Sequence, residues 1–318
     1  MASTEDTVVI LGTGGTIAGT AASATDSVGY RAAQLGVEAL VAAVPPLAGW
    51  PLECEQLAQV DSKDMTHALW LRLAQRAHAH LQRPEVRGLV ITHGTDTLEE
   101  TAYFLQRVLA PAKPLVLTAA MRPATALLAD GPQNLLDAVA LAREPGACGV
   151  LAVLGGQVFA GAELRKQHSY RLDAFDAGDL GPIGRMEEGR LRRWRDWPQA
   201  GAGVLGLQRL PADAAAWPRV AIVTSHAGAD AAVVDALCDR GVQGIVVAGT
   251  GNGSVHGDLE RALRRAAASG VRVARVSRCA YGGVVGASAE GLPALPQLSA
   301  VQARIELMLQ LMPGAGTA

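Results

Sequence analysis

The stretch from Gly88 to Leu105, GLVITHGTDTLEETAYFL, constrains the fold most, because it joins a strand signal to a helix start within a few residues. Leu89-Val90-Ile91 is a short apolar run of the kind that fits a strand buried on both faces. Thr97 followed three residues later by Glu100 reads as a capping box, and Glu99 and Glu100 suit a helix N-terminus. His93-Gly94-Thr95-Asp96 lies between them, at the carboxyl end of the strand, where open parallel sheets bind ligands.

The same alternation runs along the chain. Strands are expected at 7–11, 57–60, 87–92, 115–118 and 149–154, and helices at 37–44, 69–81, 97–109 and 132–143. Leu69, Leu73, Ala77 and Leu81 recur at four-residue spacing, which gives an amphipathic helix ending near Pro84. Residues 178–218 break the rhythm with GDLGPIG and the basic run Arg190 to Arg195, and read as irregular structure. Alternation resumes with strands at 220–224, 244–248 and 271–276, helices between them, an irregular loop at 277–297 and a last helix from Ser299. The expected class is α/β in two domains. Residues 1–189 form the larger parallel-sheet domain, 190–218 the connection and 219–318 the smaller α/β domain.

Composition narrows the function. A net charge of −2 with 18% charged residues argues against nucleic acid, and no apolar run is long enough to span a bilayer. The N-terminus shows no signal peptide, so a cytoplasmic location is expected, or a periplasmic one if the chain is a processed form. The four cysteines lack CxxC spacing and read as free, mostly buried thiols. The seven histidines show no HExxH, and neither a metal nor another cofactor is expected.

GTGGTIAG, from Gly12 to Gly19, fails the dinucleotide fingerprint, since Ile17 stands where the third glycine belongs. It could be a turn that merely lets strand and helix pack, but Thr13 and Thr16 put hydroxyls at a strand's carboxyl end. Asp96 is a plausible partner for a substrate ammonium. Lys166 is one of only three lysines, beside Lys63 and Lys113, and a partly buried lysine can serve as base for a hydroxyl.

These residues resemble the bacterial L-asparaginase/glutaminase-asparaginase family of threonine-nucleophile amidohydrolases. ILGTGGTIAG (10–19) and ITHGTDTLEETAYF (91–104) carry the likeness, supported by AMRP (120–123), ADGPQNL (129–135) and GTGNG (249–253). The resemblance implies a flavodoxin-like N-terminal domain and a homotetramer, a dimer of dimers with sites at subunit contacts. It implies Thr16 as nucleophile beside Tyr30 of a loop spanning 19–36, and Thr95, Lys166 and Asp96 as a second hydroxyl–lysine–carboxylate group. Ser62 and Asp96 would hold the substrate's α-carboxylate and α-ammonium, and Ser254 would reach across from a neighbour.

Two departures stand out. Lys63 occupies a position near the ammonium site, where an unpaired cation would repel the substrate by ~4 kcal/mol at ~4 Å. The segment after Arg278 is short, and only Glu290 is available there for an acidic role toward the substrate. The expected substrate is a small amide, L-asparagine first. Another amide (L-glutamine, D-asparagine or a blocked asparagine) and a non-catalytic amino-acid binder are the alternatives. The lysine behind a threonine argues against a pure binder.

Overall fold

Thr7–Gly14 forms the first strand, β1, and every residue from Val8 onward is buried, as a strand covered on both faces requires. The computed structural model describes residues 6–201, 204–286 and 291–313. After β1 come α1 (Val37–Ala42), β2 (Leu52–Val60), α2 (His67–Leu81), β3 (Val86–Thr92) and α3 (Leu98–Leu109). Then follow β4 (Leu115–Thr118), α4 (Gly131–Ala142), β5 (Val150–Leu154), β6 (Gln157–Ala160), β7 (Arg165–Lys166), β8 (Phe175–Asp176), β9 (Gly184–Glu187) and β10 (Arg190–Arg193). The chain divides between Leu207 and Gln208 into two compact units.

The larger unit holds an eight-stranded sheet in the order β10-β9-β6-β5-β4-β3-β1-β2. From β2 to β5 it is parallel, in the flavodoxin-like order. One face packs Val8, Ile10, Val90, Val116 and Leu151 against Leu135, Ala138 and Val139 of α4. The intervening residues Val9, Leu11, Leu89 and Ile91 are equally buried, so both faces are covered. Chain order reverses between β1 and β3, so the crevice at their carboxyl ends is the switch point where such sheets take ligands.

The smaller unit has three parallel strands, β11 (Val220–Thr224), β12 (Gly244–Gly249) and β13 (Arg272–Ser277). Helices α5 (Ala232–Asp239), α6 (Gly257–Ala268) and α7 (Ala300–Gln310) accompany them. Val223, Ile245, Val247 and Val273 pack with Leu259 and Leu263 of α6, while Val246, Ala274 and Val276 pack with Ala303 and Leu307 of α7.

Three expectations need correction. Residues 184–193, read as irregular, form a β-hairpin. Gly184 and Met186 are buried between exposed Arg185 and Glu187, and Glu188 and Gly189 both take positive φ, at 50° and 72°, as a two-residue hairpin loop demands. The expected capping box at Thr97 is not made, because the Thr97 hydroxyl instead donates to the Ser62 carbonyl at 2.8 Å. A capping box is made instead at α7, between Ser299 and Gln302. Finally, the cysteines are free but not mostly buried: Cys54, Cys148 and Cys238 are half-buried and Cys279 is exposed.

Candidate active site

Two glycines bring the turns after β1 and β3 into contact. A Cβ on Gly15 would lie 2.3 Å from Gly94 Cα, so only glycine allows this approach, and Gly15 also has φ 82°. Thr13 Oγ1 donates to the Thr92 carbonyl at 2.9 Å, which ties the two strand ends together. Each turn then presents one hydroxyl from the residue after its glycine: Thr16 from the first and Thr95 from the second, each 6% exposed.

Thr16 opens a single 3₁₀ turn, Thr16–Ala18, and its Oγ1 is hydrogen-bonded to the Tyr30 hydroxyl at 2.7 Å. Tyr30 comes from the 19–36 loop, which here lies over the turn. Thr20 and Arg31 exchange main-chain hydrogen bonds of 2.9 Å, and the Tyr30 ring packs where a Cβ on Gly19 would be. Further along, Ala33 N–H donates to Gly15 O, and Gln34 and Leu35 donate to Ala18 O.

Thr95 has a different partner. Lys166 Nζ donates to Thr95 Oγ1 at 2.9 Å and to Asp96 Oδ1 at 2.6 Å. The lysine side chain is 17% exposed and the Asp96 side chain 55%, so the ion pair runs from a half-buried amine to the solvent side. The Asp96 amide donates to Ser62 Oγ at 3.2 Å, which seats the turn after β2 beside the turn after β3. Lys63 points away from this network. It is ion-paired to Asp61 and Asp64, and its side chain is 62% exposed, so its charge is neutralised locally.

Below the second turn lies His93, fully buried, a contribution that sequence reading did not identify. Trp70 Nε1–H donates to Thr101 Oγ1 at 2.9 Å, and Thr101 Oγ1 lies 3.0 Å from His93 Nε2. His93 Nδ1 lies 2.8 Å from Gly94 O, which can only accept. The ring hydrogen is therefore on Nδ1, and Nε2 accepts from the threonine hydroxyl. Burial holds the imidazole pKa down to about 4, so the ring is neutral at ordinary pH. The only hint in the sequence was a histidine opening a polar turn directly after an apolar run.

Thr16 with Tyr30, and Thr95 with Lys166, Asp96 and Ser62, thus gather at the switch point of the larger unit. Ser254 belongs to the smaller unit, where its main chain closes a bridge with Thr250, and Glu290 lies outside the described residues. Chemically, the larger unit offers a hydroxyl bonded to a phenol, a second hydroxyl bonded to an amine, and a carboxylate facing solvent.

Comparison with known proteins finds similarity over most of the chain. Residues 7–198 match the asparaginase N-terminal family model, and residues 219–317 match the glutaminase/asparaginase C-terminal domain. The chain is similar to L-asparaginase 2 of Escherichia coli K12, 37% identical over 96% of this chain and 88% of that protein. It is also similar to the glutaminase-asparaginase of Pseudomonas fluorescens biotype A, 38% identical over 89% of this chain and 78% of that one. The crystal structure of a probable cytoplasmic L-asparaginase from Campylobacter jejuni superposes with a TM-score of 0.91 at 36% identity, covering 96% of this chain and 95% of that one.

Proposed function

This chain belongs to the asparaginase family of amidohydrolases, and on that premise we propose that it hydrolyses L-asparagine to L-aspartate and ammonia, with Thr16 as nucleophile. The observation that carries the reading is the pair of buried hydroxyls on touching turns, one bonded to a tyrosine hydroxyl and the other to a lysine. Amide hydrolysis needs a nucleophile, a proton path and donors for the developing oxyanion.

In this reading the Thr16 hydroxyl oxygen attacks the carboxamide carbon, and its proton leaves by way of the Tyr30 hydroxyl. The C–N bond breaks, the nitrogen takes up the proton and departs as ammonia, and an ester forms on Thr16. Water then attacks the ester and gives up a proton through Thr95 Oγ1 to Lys166 in its free-amine form. The bond to Thr16 breaks, the Thr16 oxygen takes a proton back through the Tyr30 hydroxyl, and L-aspartate is released. The Thr95 amide serves as an oxyanion donor. Supporting that role, His93 draws the Gly94 carbonyl inward, and the amide of the same planar peptide points the opposite way.

Ser62 holds the substrate α-carboxylate and Asp96 the α-ammonium. Lys63, already paired with two aspartates, places no free cation beside that ammonium. On the family pattern the protein acts as a homotetramer, with Ser254 and Glu290 of a neighbouring subunit completing the ammonium site. Its compartment is taken as cytoplasmic, supported by the similarity to the probable cytoplasmic L-asparaginase of Campylobacter jejuni. L-glutamine is the second substrate to consider, because one relative is a glutaminase-asparaginase.

The test is ammonia release from L-asparagine, L-glutamine and D-asparagine by the wild type beside Thr16→Ala. Turnover of L-asparagine lost in the variant supports the reading. Activity confined to another amide moves the substrate, and undiminished turnover by Thr16→Ala refutes the nucleophile. Light scattering after size exclusion tests the tetramer.

A further inference from the structure

We infer that the turn after β4, residues 121–130, is a clamp that holds both Tyr30 and Lys166 in place, with Arg122, Thr125 and Asp130 as positioning residues. The inference rests on the reading of Tyr30 and Lys166 as proton carriers in the reaction.

The proposed chemistry uses no residue of AMRP or ADGPQNL, the two sequence motifs that bound this turn. Their side chains close it. Asp130, at the head of α4, accepts from two main-chain N–H groups, Met121 on Oδ2 and Arg122 on Oδ1, each at 2.9 Å. Asn134 Nδ2 donates to Asp130 Oδ2 at 3.2 Å and to Ala119 O at 2.9 Å. One carboxylate with both oxygens engaged thereby joins the end of β4 to the start of α4. Gly131 brings this platform against Ile17, the neighbour of Thr16, since a Cβ on Gly131 would lie 2.9 Å from Ile17 Cγ1.

The platform grips two segments. Along the 19–36 loop, Ala124 N–H donates to Gly19 O and Leu127 N–H to Ala24 O, both at 2.9 Å. Ala21 N–H donates to Thr125 Oγ1 at 2.9 Å. Thr20, between Gly19 and Ala21, turns its main chain the other way and pairs with Arg31, the residue after Tyr30. Residues 19–21 therefore lie between the clamp and the stretch that carries the tyrosine. On the other side, the Arg122 guanidinium sits 4.1 Å from the centre of the Tyr170 ring, and its Nη1 donates to Tyr170 O at 2.8 Å. Stacking on a ring while bonding the carbonyl of the same residue fixes direction as well as distance. Tyr170 belongs to the loop that joins β7, with Lys166, to β8, and this two-stranded hairpin stands outside the eight-stranded sheet. Tyr30 and Lys166 are thus the two groups that do not come from the turns after β1, β2 and β3, and the turn after β4 holds the segments of both.

The experiment combines limited trypsin digestion with kcat and KM for L-asparagine in wild type, Thr125→Val, Arg122→Met and Asp130→Asn, with thermal melts of each. Arg31 and Arg171 are exposed, so cutting after each reports release of its segment. Thr125→Val is expected to speed cutting after Arg31, and Arg122→Met cutting after Arg171, each by roughly threefold to tenfold. Asp130→Asn leaves one acceptor oxygen where two are needed. It is expected to speed both cuts and to lower kcat about tenfold, with KM changed less than about threefold. Cutting at wild-type rates in Asp130→Asn, or wild-type kcat where both cuts are faster, overturns the inference. If Asp130→Asn does not fold, wild-type kcat in both Thr125→Val and Arg122→Met overturns it. Tyr30→Phe and Lys166→Met are measured alongside. Full turnover by both rejects the reading of the site, whereas their inactivity beside fully active clamp variants rejects only the clamp.

Discussion

The turns that follow β3 and β11 begin alike and end differently. In both, a histidine turns its Nδ1 onto the carbonyl of the next residue, at 2.8 Å for His93 and 2.9 Å for His226. His93 is buried beneath its turn, while His226 is exposed. After β3, the side chains of Thr95 and Asp96 are bound by the amine of Lys166. In the smaller unit, the polar side chains at the strand ends bind main chain instead. Ser225 Oγ accepts from His256 N–H, Ser277 Oγ donates to Gly251 O and accepts from Cys279 N–H, and Asn252 exchanges two bonds of 2.7 Å with Val285. The two places are equivalent in a parallel sheet, yet among the described residues the turn after β3 is the one whose side chains are bound by a lysine amine. Architecture offers the location, and the choice of partners decides whether it holds chemistry or a well-made turn.

The sharpest way to break this contrast is to remove both hydroxyls of the larger unit. Thr16→Ala or Thr95→Ala alone should cost roughly 10³-fold or more in kcat, and the double variant should be little worse than the worse single one. Independent, additive losses in steady-state assays would mean that the two turns do not act together.

Protonation of His93 comes next. Its folded pKa, near 4, lies below the ordinary value near 6.5, so the unfolded chain binds the proton more readily. The associated stability is full above pH ~6.5 and is lost as pH falls toward ~4, by about 3 kcal/mol. Urea unfolding across that range should show the loss in wild type and a shallower slope in His93→Gln. Parallel slopes would remove the histidine from the account.

Glycine substitutions probe the same contrast through the backbone. Gly15→Ala should lower kcat about 100-fold, because its Cβ would force the two turns apart. Gly251→Ala meets open space and should cost only ~1 kcal/mol of backbone strain at φ 48°, read by chemical denaturation. Ser277→Ala removes two hydrogen bonds to main chain. A stability decrease of about 1–2 kcal/mol, seen in the unfolding midpoint, is the expected result.

Much of this arrangement was legible in the residues. Uninterrupted apolar runs such as Leu89-Val90-Ile91 give buried strands, and the threonines at their ends mark the crevice. The hairpin at 184–193 was hidden because Met186 is the one large apolar side chain in β9 and arginines dominate β10. The true partner of Thr97 was hidden for another reason. Local spacing favoured a cap on α3, but Ser62, brought close by the pairing of β1 with both β2 and β3, offered its carbonyl instead. The pairing of Lys63 with Asp61 and Asp64 sits two residues or fewer away in sequence, yet composition alone could not tell it from a lysine aimed at substrate. Nor could spacing reveal that His93 would be neutral, since that follows from burial under Trp70 and Thr101.

The short strand that carries Lys166 has a consequence for how the enzyme comes into being. The strands bearing Thr16 and Thr95 pair directly, but the lysine follows Thr95 by 71 residues and β8, its pairing partner, comes later still. Chains are made from the N-terminus, and domains fold as units. Both hydroxyls are therefore synthesised well before the amine that serves one of them. A chain cut between Thr95 and Lys166 carries the two hydroxyl turns and lacks that amine.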